Sequence, residues 1–98
     1  MKLTALANEY LKFMAKSYSE THKRTFSFQQ FKELHPELDN RFISDGLYLL
    51  ESDALVSVFP ADNVAYLTTL LPTAIRQYEE NTLLKKGYTC IKEIASWF

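Results

Sequence analysis

The spacing of apolar residues changes character several times along this chain, and each change marks an element. Leu3, Leu6, Tyr10, Phe13 and Met14 recur at helical intervals, with Asn8, Glu9, Lys12 and Lys16 between them. That period predicts an amphipathic first helix over residues 2–18. Residues 19–25 carry no period and read as a polar loop holding the basic triplet His22, Lys23 and Arg24. Ser27 and Gln30 then stand at the spacing of a capping box, and Phe26 and Phe31 at that of a hydrophobic staple, so a second helix starts here. Pro36 disfavours the helical region for His35 and ends it.

Asp39 suits the N-cap of a third helix. In that helix Ile43, Gly46, Leu47 and Leu50 share one face. Arg41, Ser44, Asp45, Tyr48 and Ser52 share the opposite one, with Glu51 beside them. Gly46 costs roughly 1 kcal/mol against alanine inside a helix, so its place on the inner face predicts close approach of a second helix. Residues 55–59 and 64–68 are rich in β-formers and flank Pro60, Asp62 and Asn63, which predicts a hairpin with a four-residue loop over 60–63. Pro72 fits the first turn of a fourth helix, and Ile75 and Tyr78 give that helix an apolar face until it falters near Asn81 and Thr82. In residues 83–98 the apolar positions Leu83, Leu84, Tyr88, Cys90, Ile91, Ile94, Trp97 and Phe98 fall on one arc. The arc is about 180° wide, against about 100° for a helix with one buried stripe, and so predicts contact with two surfaces.

Ninety-eight residues make one domain with a single core, and the 47% apolar and 14% aromatic content argues against disorder. The formal charge of −1 gives no global attraction to nucleic acid or anionic lipid. Its distribution is more telling. Residues 42–75 contain no lysine or arginine but hold Asp45, Glu51, Asp53 and Asp62. The lone Cys90 cannot form an internal disulfide, Asn8, Glu9 and Lys12 interrupt any signal-peptide run, and no stretch nears the ~18 apolar residues of a membrane span. A cytoplasmic protein without membrane contact is the expectation.

Site chemistry is sparse. His22 and His35 are the only histidines, neither has a cysteine or carboxylate at metal-ligand spacing, and Cys90 lies on the apolar arc. With two glycines there is no phosphate-cradling loop. These residues predict no enzyme, no metal, no cofactor and no small-molecule ligand.

The order helix, helix, tight turn, helix, hairpin, helix resembles the winged helix-turn-helix superfamily. Leu49-Leu50-Glu51-Ser52-Asp53-Ala54-Leu55-Val56 looks like the junction between a recognition helix and the first wing strand. Leu70-Leu71-Pro72-Thr73-Ala74-Ile75, followed by Tyr78-Glu79-Glu80-Asn81, looks like the return from the wing into a helix. The whole layout is most similar to the small YjcQ-like proteins of bacteria and their prophages. The resemblance implies a mainly α protein with a small β-hairpin, an α+β winged helix-turn-helix core over residues 2–80, and an added C-terminal helix over 82–98, all in one domain spanning 1–98. That family pattern usually has glycine at Ala54 and Ala74, and a small polar residue at Leu71.

For function the resemblance implies a regulator that binds double-stranded DNA. Arg41, Ser44, Asp45 and Tyr48 would then read base edges, Asn63 at the wing tip would meet backbone, and Lys23 and Arg24 would grip phosphate. The acidic third helix favours the alternative, a module for protein contacts without DNA binding, or a merely solvated face. Leu83, Leu84, Tyr88, Ile91, Ile94, Trp97 and Phe98 are the candidate surface for a homodimer or another partner.

Overall fold

The computed structural model describes the backbone of residues 1–87 and the side chains of residues 1–80. Its elements run α1 (Leu3–Thr21), β1 (Thr25–Ser27), α2 (Phe28–Leu34), α3 (Asn40–Ser52), β2 (Val56–Ala61), β3 (Val64–Leu70) and α4 (Pro72–Gly87). The result is α+β, with four helices and a three-stranded antiparallel sheet among the described residues, a layout compatible with a winged-helix-like fold. No helix among the described residues is long and apolar enough to cross a membrane.

The helices form for the reasons their patterns suggest. α1 turns Leu6, Tyr10 and Met14 into the core and ends at His22, whose left-handed backbone lets its N–H reach Tyr18 O at 2.7 Å. α2 starts on Ser27, whose N–H donates to Gln30 Oε1 at 3.0 Å, closing the expected capping box. The staple closes as well, with the Phe26 and Phe31 rings 6.2 Å apart. His35 leaves the helical region just before Pro36 (φ −139°, ψ 68°). α3 buries Ile43, Gly46, Leu47 and Leu50. A Cβ added to Gly46 would stand 3.4 Å from Leu6 Cδ2 and 3.8 Å from Leu3 Cδ1, so side chains of α1 pack directly on this glycine.

β3 is the central strand, with β1 and β2 on either side. Phe26, Val58 and Thr68 lie across from one another in register, as do Val56 and Leu70. Phe26, Val56, Thr68 and Leu70 are buried and join Tyr10, Phe31, Ile43, Leu47 and Leu50 in one core beneath the sheet. Phe13 meets both Phe26 and Phe31 at tilted or edge-on angles, the arrangement aromatic quadrupoles favour.

Four sequence expectations are corrected. The first helix continues to Thr21, and part of the supposed loop is strand β1. The hairpin turn is two residues, Asp62 and Asn63, rather than four, because β2 runs on through a bulge between Phe59 and Ala61. Pro60 sits in that bulge on an edge strand, where a missing N–H costs no ladder bond. The fourth helix does not falter at Asn81 and Thr82 but continues to Gly87. The predicted contact arc of Leu83, Leu84, Tyr88, Ile91, Ile94, Trp97 and Phe98 lies outside the residues whose side chains are described.

Candidate functional site

α3 and the β2–β3 hairpin enclose a groove of about 570 Å³. One wall is the N-terminal half of α3, which contributes Asp39, Asn40, Arg41, Asp45 and Tyr48. Asp62, Asn63 and Val64 from the hairpin turn form the other, and Ser44 lines the groove between them. Local chemistry explains why these residues meet. Asp62 and Asn63 both adopt positive φ (54° and 63°), the signature of a tight turn that suits the twist of a hairpin. Asn and Asp tolerate that conformation better than other non-glycine residues. Asp39 is the N-cap of α3 but makes no side-chain capping bond, so its carboxylate stays available to the groove.

The groove is acidic: three aspartates against one arginine leave it with a net charge of −2. The N-terminal end of α3 adds partial positive charge beside Asp39. Among the described residues, Arg41 forms no ion pair with any of the three aspartates. A partner entering the groove therefore meets unpaired groups of both signs, with the negative in excess.

Of the residues predicted to read DNA, Arg41, Ser44, Asp45, Tyr48 and Asn63 all line this one groove. Ser44, however, does not face outward. It is only 4% exposed, and its Oγ accepts a hydrogen bond from Ala65 N–H at 3.0 Å. Ala65 lies across from the bulge and finds its acceptor in α3 rather than in β2. Ser44 is thus removed from the reading face, while Asp39, Asn40, Asp62 and Val64 join the groove unanticipated. The signal that was available for Asp62 is the Asp-Asn pair itself, a turn sequence whose position opposite the start of α3 depends on the register of the strands.

Lys23 and Arg24 stand apart from the groove. They precede β1, at the sheet edge opposite β2. The Lys23 ammonium lies 5.4 Å from the centroid of the Phe26 ring. The Arg24 guanidinium donates from Nε to Leu70 O at 3.4 Å, while its own carbonyl accepts from Leu70 N–H at 2.7 Å. Both cations are engaged in anchoring β1.

A second polar cluster joins α1 to the end of α2. His35 Nε2 is 3.0 Å from Glu9 Oε1, and the ring stands edge-on to Tyr10 at 5.7 Å. The Tyr10 hydroxyl donates to Phe31 O at 3.3 Å. Burial, with smaller contributions from Glu9 and Glu37, pushes the Tyr10 phenol up to about 12. This is a strut between helices. It holds no nucleophile, and among the described residues no group of three or more His, Cys, Asp or Glu is placed to hold a metal.

The chain matches no known family model, no curated protein and no solved structure.

Proposed function

We propose that this chain is a non-catalytic winged-helix module that acts by contact, and that the α3–hairpin groove receives a polypeptide segment rich in lysine or arginine. In this reading α3 is the recognition helix and the β2–β3 hairpin is the wing. The observation that carries it is the charge of the groove, with Asp39, Asp45 and Asp62 facing a single Arg41. Most winged-helix affinity for duplex DNA comes from neutralising phosphates with lysine and arginine, and a net-negative groove opposes that. The same groove complements cationic side chains, and the half-buried Tyr48 offers an aromatic face to an ammonium or guanidinium.

A second reading keeps double-stranded DNA as the partner. It is favoured by Arg41, Asn40 and Asn63 sharing one groove, since an arginine can pair with guanine and an asparagine with adenine. The two readings part in a salt titration with two probes, a labelled oligoarginine peptide and a short mixed-sequence duplex. Peptide binding that weakens gradually with salt, with no duplex bound even at low salt, is the expected result. Duplex binding that falls steeply with salt, and an idle peptide, would reverse the order.

A further inference from the structure

α3 holds the hairpin by its backbone at two points. Ser44 Oγ accepts from Ala65 N–H at 3.0 Å, and Glu51 Oε2 accepts from Val58 N–H at 2.9 Å. Ser44 and Glu51 are two helical turns apart, hence on one side of α3 and about 10 Å apart along its axis. On the hairpin, Val58 pairs with Thr68, which is three positions from Ala65 along β3. Three residues of strand also span about 10 Å. The two spacings match, so helix and hairpin are joined twice without bending either one.

The alternation of the ladder shows what Glu51 covers. Leu70 N–H bonds to Arg24 O, so Leu70, and with it Thr68, faces β1. Val58, opposite Thr68 on the far strand, then turns its N–H to the open edge of the sheet. Glu51 takes that donor, and Pro60 farther along the same edge has none to offer.

We infer that Ser44 and Glu51 are positioning residues for the groove: a two-point clamp that fixes the hairpin turn opposite Arg41 and Asp45 before any partner arrives. The clamp is read from α3 and the hairpin alone; only its consequence for binding rests on the groove being the contact surface. A preformed groove spares the ordering cost that a free hairpin would incur on binding. Glu51 also closes the edge amide that an added strand would need.

Amide hydrogen exchange on the full chain tests the clamp, with Glu51→Ala and Glu51→Gln as variants, since Glu51 is exposed and its loss leaves the core packed. Glu51→Ala should speed exchange at Val58 by about tenfold while amides of α1 are unchanged. Glu51→Gln keeps an acceptor oxygen and should restore most of the protection. Unchanged exchange at Val58 in Glu51→Ala would overturn the clamp. Oligoarginine binding gives the second readout. Weaker binding in Glu51→Ala but not in Glu51→Gln supports positioning, whereas an equal loss in both assigns Glu51 a charge contact and removes its positioning role. A peptide that binds none of the three proteins sinks the proposed partner, and the exchange data still decide the clamp.

Discussion

Ala54 is the residue whose backbone works hardest against its side chain. It ends the turn after α3 with φ 62°, a left-handed conformation that costs an L-residue about 1–2 kcal/mol. Its N–H goes to Glu51 O at 2.9 Å, and the following Leu55 N–H to Leu50 O at 3.1 Å, so the conformation is held by the termination of the helix. Ala54→Gly should therefore stabilise the protein, by about 0.5–1 kcal/mol once the greater freedom of unfolded glycine is subtracted. Chemical denaturation at constant m-value measures it, and a loss of stability would show that the alanine methyl has packing value. Tyr10 gives a different residue-level outcome. Its phenol ionises near 10 when unfolded and near 12 when folded, because burial opposes the charge and Glu9 and Glu37 add repulsion. A raised folded value means the contribution is complete below pH 10 and is lost as pH climbs from 10 towards 12, by about 2 kcal/mol. Tyr10→Phe should start less stable, having lost the bond to Phe31 O, but should show a shallower alkaline decline. Parallel declines between pH 9 and 12 would mean that another group governs it.

At the scale of elements, the caps and faces that depend on neighbours in sequence are the ones that could be read from sequence. The Ser27–Gln30 box and the Phe26–Phe31 staple use residues within five positions of one another, and both form as expected. Ser27→Ala should cost about 1 kcal/mol, because α2 has only seven residues and few bonds of its own to hold its start. Most of that loss should persist when Gln30 is already alanine, because the Ser27 hydroxyl accepts from the Gln30 backbone N–H while the Gln30 side chain accepts from the Ser27 backbone N–H; a thermal-melt double-mutant cycle checks that near-additivity. Features that depend on distant partners were not legible. β1 is a three-residue strand whose identity comes from pairing with β3, on the far side of α2 and α3. Pro60 looked like a turn residue because its place in an edge-strand bulge depends on the register with β3. Ser44 shows the subtler failure. At about 100° per residue it stands about 60° from Leu47, and Glu51 about 40°, so both border the buried face. Polarity placed them outside. The hairpin amide of Ala65 draws Ser44 inward, and that of Val58 engages Glu51, which stays exposed at the sheet edge.

Across the whole molecule, the near-zero net charge conceals a local acidic excess. Lys12 and Lys16 are exposed on α1 together with Glu9 and Glu20, and Lys23 and Arg24 lie beside β1, while Asp39, Asp45 and Asp62 gather between α3 and the hairpin turn. None of these three aspartates supports the core, so replacing Asp45 and Asp62 together by asparagine should change stability by no more than about 0.5 kcal/mol. Its effect on binding should be larger. Each exposed charge contributes about 0.5–1 kcal/mol to an ionic contact, so the double substitution should weaken oligoarginine binding about tenfold at low salt. The difference should shrink as salt shortens the screening length to about 10 Å near 0.1 M. Fluorescence anisotropy on both proteins, across a salt series, supplies the comparison. A duplex probe in the same series gives the opposite sign, since removing two negative charges beside Arg41 lowers the repulsion a phosphate backbone meets. If the substituted protein gains duplex affinity while the peptide is indifferent to the change, then the aspartates are a restraint on DNA binding rather than the seat of a cationic partner, and α3 with its hairpin must be assigned to nucleic acid.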